Sequence, residues 1–304
     1  MQTGVGVSAG TLVAQQSALV SAAIDRGFAA LLAMPDDARA RLYEAMRHAA
    51  IGGGKRLRPL LVRAACDLFN ISPESALRVG LAVECIHVYS LVHDDLPAMD
   101  DDDMRRGKPT VHKAFDEAAA ILVGDCLQSF AFEILADEQT HPDPFVRVEL
   151  VKALAIASGA AGMAGGQMMD LAAENSRFDL PTVTRLQNLK TGALIGFSVE
   201  AAAIMARIPA EGRKGLNGYA RDIGLAFQIA DDLLDVEGDM ASAGKALGKD
   251  AAAGKETFVS LLGAERAREQ ARILVDQAKA HLHGFGARAD LLRAIADYIV
   301  ERDR

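Results

Sequence analysis

Segment after segment of this chain carries apolar residues at the spacing of a helix, while alternating strand-like runs are hard to find. That recurrence restricts the fold more than any other feature. The segments are Pro59–Leu68, Glu74–Leu96, Ala114–Ala136, Pro144–Ala164, Thr182–Arg207, Gly212–Val236, Thr257–Leu282 and Ala287–Arg302. Several are apolar on more than one side, as helices inside a many-helix bundle must be. Half of the residues are hydrophobic, only 5% are aromatic and Trp is absent, so Ala, Leu, Val and Ile supply most of the apolar content. Turn residues punctuate the chain at IGGGK (51–55), NISPES (70–75), THPDP (140–144), SRFDLP (176–181) and a long stretch from Glu237 to Thr257. No Pro- or Ser-rich linker and no fixed-period repeat divides it. The expected fold is all-α: one large multi-helix bundle domain spanning residues 1–304, arranged around a central cavity.

The net charge of −8 argues against a nucleic-acid backbone or an anionic membrane surface as the main partner. Cys66, Cys85 and Cys126 are widely spaced and form no CxxC pair, which fits a reducing compartment and gives no zinc or disulfide framework. No charge precedes Asp25, so the start lacks the basic region of a secretion signal. No run reaches the ~18 apolar residues that span a bilayer. A cytoplasmic protein without a membrane span is the expectation.

Two acidic clusters interrupt this apolar background. In HDDLPAMDDDDMRRGKP, six aspartates stand beside two arginines and a lysine, directly after the apolar run VECIHVYSLV. At ~100° per residue His87, Ser90 and Asp94 share one helical stripe. Pro97 then breaks the ladder, so that Asp100 and its neighbours can be re-aimed toward the same space. In FQIADDLLDVEGD, Asp231 and Asp235 lie on one face at i, i+4, and Gln228 joins their stripe. Like charges at that spacing repel, so a compensating cation is expected. Carboxylates without nearby His or Cys ligands suit magnesium better than zinc, and two facing clusters suggest several ions. Magnesium held by few carboxylates completes its shell with water and substrate phosphate.

The basic residues fit the same picture. Lys55, Arg56 and Arg58 in GGGKRLRP, Arg105 and Arg106, Lys190 in LKTGA, and Lys245, Lys249 and Lys255 alternate with glycine as diphosphate clamps do. Any one of them alone is ordinary surface charge, and either acidic run alone is a solvated loop. The set is harder to dismiss.

These segments, taken in order from Gly52 to Thr257, resemble the trans-prenyltransferase family of short-chain polyprenyl diphosphate synthases, and within it most closely the bacterial farnesyl diphosphate synthases. GGGKRLRP, HDDLPAMDDDDMRRGKP, LKTGALI, FQIADDLLD and the AGKALGKD…GKET stretch match five of the family's motifs, and YIVERDR resembles its C-terminal end. The resemblance implies that an allylic diphosphate, dimethylallyl or geranyl, ionises and is attacked head-to-tail by isopentenyl diphosphate. Asp94, Asp95 and Asp100 are then expected to hold two magnesium ions and Asp231 a third, with Asp232 and Asp235 helping. Arg105, Lys190, Lys245 and, less securely, Lys255 grip the allylic diphosphate. Lys55, Arg58, His87 and Arg106 hold isopentenyl diphosphate, while Thr191 and Gln228 offer dipoles to the cationic transition state. The departing diphosphate serves as the base.

In related enzymes an aromatic residue five positions before the first acid, beside a small one, goes with a fifteen-carbon product; here Tyr89 and Ser90 occupy those places. Alternatives are a geranylgeranyl diphosphate synthase, which differs in the pocket floor, and a non-catalytic subunit of a heteromeric synthase, which usually loses one acidic cluster. A terpene cyclase would not need GGGKRLRP. The family also implies a homodimer.

Overall fold

Three of the turn-rich loops end in a residue that caps the next helix, with proline just inside it. Ser72, Asp143 and Asp179 accept from the backbone amides of Ser75, Phe145 and Thr182, and Pro73, Pro144 and Pro181 stand in the first turn. Each cap satisfies an amide that the helix itself leaves unpaired, and each proline loses no hydrogen bond there. Turn chemistry thus fixes where these helices begin.

The structure, a computed structural model, describes residues 9–237 and 255–301. It is an all-α bundle. Helices α1 (Ala9–Leu31), α2 (Ala40–Ala50), α3 (Leu57–Leu68) and α4 (Pro73–Asp94) lead into a two-stranded hairpin, β1 (Met104–Arg105) and β2 (Lys108–Pro109). Then follow α5 (Val111–Ala114), α6 (Glu117–Ala136), α7 (Pro144–Ser158), α8 (Met163–Ala173), α9 (Leu180–Gln187), α10 (Ala193–Met205) and α11 (Lys214–Glu237). After the undescribed residues come α12 (Phe258–Leu262), α13 (Ala264–His281) and α14 (Asp290–Glu301).

The middle of the bundle is α4, packed against α1, α3, α6 and α10. Val79, Val83 and Ile86 are buried on one face of it and Val88 on the opposite face, and burial of each such side chain is worth roughly 1.5–3 kcal/mol. The start of α3 is tied to this centre by Arg56, which takes a left-handed conformation (φ 48°) and turns inward. It donates to Glu84 of α4 at 2.7 Å, to Asp25 of α1 at 2.7 Å and to the Ala50 carbonyl at 2.6 Å. Arg56 is therefore a buried tie rather than the diphosphate clamp its neighbours suggest.

Several boundaries differ from the sequence reading. The expected Pro144–Ala164 helix stops at Ser158 and restarts at Met163. Thr257–Leu282 is cut by Gly263, whose φ of 79° suits glycine. The hairpin, α1 and α2 are additions. By length and composition alone, Pro73–Asp94, Glu117–Ala136 and the interrupted stretch Pro144–Ala173 are apolar enough to cross a membrane, and the first of them is the packed middle of the bundle. Averaged hydropathy tolerates the scattered polar residues that interrupt an unbroken apolar run.

Candidate active site

Asp94 is the last residue of α4, and Asp95 caps its C-terminal end. The chain then folds back over that end, with the amide of Asp100 donating to the Asp94 carbonyl at 2.8 Å and that of Asp102 to the Asp95 carbonyl at 3.2 Å. Asp101 (φ 49°) makes the reversal. In the hairpin that follows, Arg106 (φ 53°) and Gly107 (φ 75°) form a tight turn with both central residues left-handed. Arg105 reaches back from this hairpin and donates to Asp95 Oδ1 at 2.7 Å. A Cβ on Gly54 would lie 2.5 Å from the Arg106 guanidinium, so the glycine loop leaves room for that side chain.

Burial pushes the Asp94 carboxyl up to about 6, helped by Asp100 and Asp95 and opposed by Lys190 and Arg105. Asp95 is also raised, again chiefly by burial. His87 lies well below its ordinary 6.5, first because it is buried and then because Arg58, Arg106, Arg105 and Arg56 surround it. It is neutral at pH 7 and donates or accepts without adding charge.

The opposite wall is built by α8, the turn between α9 and α10, and α11. Asn188–Gly192 winds as a π-helical turn, and it carries Lys190 and Thr191. A Cβ on Gly166 of α8 would sit 2.2 Å from the Lys190 nitrogen, so glycine permits the close approach. Lys190 Nζ donates to Asp170 Oδ2 at 2.9 Å, and Lys255 Nζ donates to the same oxygen at 2.8 Å. Burial raises the Asp170 carboxyl, but the two lysines outweigh it and hold the group below its usual value. Thr191 Oγ1 donates to Gln228 Oε1 at 3.1 Å, and Gln228 Nε2 donates to Asp232 Oδ1 at 3.3 Å.

Between the walls lies a cavity of about 300 Å³. Arg58, His87, Asp94, Lys190 and Thr191 line its polar part, and Tyr89, Ser90 and Met163 line the remainder. Asp231 on α11 stands near enough for its charge to act on Arg58.

The chain matches the family model described as polyprenyl synthetase over residues 39–295. The chain belongs to the polyprenyl synthetase family. It is 48% identical over 270 residues to the farnesyl diphosphate synthase of Escherichia coli strain K12, covering 86% of this chain and 90% of that one. Against the farnesyl diphosphate synthase of Bacillus subtilis strain 168 the identity is 42% over 273 residues, covering 90% and 91%. An apo crystal structure of an FPP/GFPP synthase from Zymomonas mobilis superposes with a TM-score of 0.88 at 62% identity, covering 95% of this chain and 98% of that one.

Of the residues singled out in the sequence, this polyprenyl synthetase brings Arg58, His87, Tyr89, Ser90, Asp94, Lys190 and Thr191 to one cavity. Arg105 is paired with Asp95, and Lys255 is drawn to Asp170. Asp232 is buried, and its Oδ2 accepts from the Phe258 amide at 2.9 Å. It fastens the start of α12 to α11. Asp235 is half-buried one turn beyond Asp231, and Lys55 is exposed. Lys245 and Lys249 lie outside the described residues.

Among the described residues, the acids that gather with a histidine within 4.8 Å of one another are Asp101, Asp103 and His112, not Asp94, Asp95 and Asp100. Arg105 accounts for part of that difference by holding Asp95. Gln167 and Asp170 went unread in the sequence. Their signal was a Gln and an Asp one helical turn apart in the apolar run GGQMMDLAA.

Proposed function

We propose that this chain is a farnesyl diphosphate synthase: it condenses dimethylallyl or geranyl diphosphate with isopentenyl diphosphate, head-to-tail, to a fifteen-carbon allylic diphosphate. The observation that carries this reading is one cavity lined both by the charged Asp94 and Lys190 and by Tyr89 and Ser90. Charge gathers where a diphosphate must leave, and apolar or small groups line the path of a prenyl tail. The whole chain is read as one domain acting in the cytoplasm.

The donor set suits magnesium in kind, because its ligand atoms are hard carboxylate oxygens, and burial with like charge holds Asp94 up at about 6, where a cation would favour the charged form. Asp94, Asp95 and Asp100 would hold two ions and Asp231 a third, with Asp232 and Asp235 helping to position it directly or through water. Bound magnesium supplies Lewis-acid charge to the oxygens of the leaving diphosphate. Lys190, Lys255, Arg105 and the undescribed Lys245 grip the allylic diphosphate and stabilise the charge that grows on it as its carbon–oxygen bond breaks. Arg58, Arg106, Lys55 and neutral His87 hold isopentenyl diphosphate, whose own diphosphate stays intact. Thr191 and Gln228 form one hydrogen-bonded pair on the allylic side and turn their dipoles toward the cation. The double bond of isopentenyl diphosphate attacks, and the proton then lost goes to the departing diphosphate.

The homodimer is proposed through α6 and α7, which expose Ile121, Leu122, Phe145 and Val148 as large apolar side chains. The test of the activity is incubation with each allylic starter, isopentenyl diphosphate and magnesium, followed by chain-length analysis. Fifteen carbons is the expected product. Twenty would move the chain to the geranylgeranyl reading, and no condensation with either starter would overturn the enzyme reading in favour of a non-catalytic subunit. The Zymomonas relative has a double product name, so the analysis extends to twenty-five carbons.

A further inference from the structure

His93 stands one residue before Asp94, yet its side chain is committed elsewhere. Its ring meets Tyr89 edge to face, with centroids 5.8 Å apart and planes at 74°. The two are one helical turn apart on α4, where side chains at i and i+4 stack. His93 Nε2 lies 3.2 Å from the Ile121 carbonyl on α6. A carbonyl only accepts, so Nε2 carries the proton and donates. The ring occupies a place that α6 keeps clear for it: a Cβ on Gly124 would lie 1.9 Å from Nε2. Any side chain at position 124 would evict the imidazole. His93 and Tyr89 also line the same cavity.

We propose that His93 is a positioning residue for product length: clamped between Gly124 and the Ile121 carbonyl, it props the Tyr89 ring across the tail tunnel. The proposal deepens the synthase reading and rests on it. Tyr89 has rotatable side-chain bonds, and a ring that bars a tunnel needs a neighbour on its free flank. Edge-to-face contact supplies that neighbour and favours one ring orientation. The anchor on α6 fixes the prop to a second helix, so the floor depends on the α4–α6 crossing and not on Tyr89 alone.

The test compares the native enzyme with His93→Ala, His93→Gln and Gly124→Ala. His93→Gln keeps an N–H for Ile121 but has no ring, so it separates the hydrogen bond from the prop. Expected is a C20-to-C15 product ratio raised at least ~10-fold in both His93 variants, the scale on which pocket size discriminates tails. Gly124→Ala, which displaces the ring, moves the ratio in the same direction. Folded His93 variants with the native ratio overturn the proposal, even if their melting temperatures fall, because a merely structural histidine would lower stability without changing chain length. Should His93→Ala not fold, His93→Gln decides. Should the variants fold but not turn over, calorimetric affinities for geranylgeranyl and farnesyl diphosphate decide instead: a ratio shifted toward the longer tail supports the prop, and an unchanged ratio overturns it. A native enzyme that condenses nothing would refute the synthase reading, while those affinities still judge His93.

Discussion

Lys190 Nζ lies 2.9 Å from Asp170 Oδ2. The same oxygen takes Lys255 at 2.8 Å, so two ammonium groups share one carboxylate, and Lys255 also reaches Glu174 Oε1 at 3.3 Å. An arriving diphosphate meets lysines already aligned from two parts of the chain. Asp170→Asn leaves both side chains without their common anchor. The expected result is an allylic KM raised roughly tenfold, about 1.4 kcal/mol, with a smaller change in the KM for isopentenyl diphosphate. Steady-state kinetics with each substrate varied would show it, and equal effects on both would argue against this division of labour.

Asp94 poses an opposition between stability and function. Burial and the neighbouring acids disfavour its charge, holding the carboxyl up at about 6. Without metal, the charged form at pH 7.5 works against the fold. Asp94→Asn is therefore expected to stabilise the metal-free protein by about 1–3 kcal/mol, seen as a higher melting temperature, and to lower kcat by ~10²-fold or more. A scan in chelator and a rate assay in magnesium test the two halves. A destabilised variant would contradict the electrostatic account.

The charged half of this site was legible because spacing carries it: Asp94, His87 and Ser90 share a helical stripe, and Asp231 and Gln228 share another. Both stripes end at the cavity or beside it. What the sequence hid depends on geometry that periodicity does not encode. The π-helical turn that aims Lys190 and Thr191 reads as plain helix, since five residues are too few to shift a period of 3.6. The hairpin strands have two residues each, below any strand pattern. Arg56 has the same type and neighbours as the cavity-lining Arg58, and the left-handed backbone at 56 turns it inward to Glu84. Gly124 gives no sign that it is vacant for His93 until α4 and α6 are packed.

Tyr89 gives a direct test of the tunnel. Its ring lines the cavity five residues before Asp94, next to Ser90, whose hydroxyl is turned back to the His87 carbonyl at 2.9 Å. Tyr89→Ala removes the ring but leaves the charged end untouched. The expected outcome is a product mixture extended to twenty carbons or beyond, with the allylic KM changed by less than about threefold. Chromatography of the dephosphorylated products decides it. Fifteen-carbon output alone would remove Tyr89 from the floor.

The thiols of Cys66 and Cys85 are expected to be inert in the folded protein. Both are fully buried, and burial pushes Cys66 up to about 12 and Cys85 further. Since the thiolate is the reacting form, neither should alkylate at pH 8 on the timescale of exposed cysteine. Denaturant should release both together, as the two lie in α3 and α4 of one core. Cys126, half-buried on α6, provides an internal comparison. Mass spectrometry after a short iodoacetamide pulse would report each site, and early labelling of Cys85 would mean that α4 opens without global unfolding.

His87 links acid stability to the cavity it lines. Its folded pKa is depressed well below 6.5 by burial and by the arginines around it. The unfolded chain binds a proton there near 6.5, whereas the folded chain resists until lower pH. The unfolded state thus holds more protons in that window, so stability is complete above 6.5 and is lost as pH falls from 6.5 through the folded value. His87→Gln retains polar atoms but cannot titrate. Its melting temperature should fall less than that of the native protein between pH 6.5 and 5, with metal and substrate absent from both. Parallel pH profiles would mean that His87 is not the group responsible, and that the arginines at the cavity do not hold it neutral.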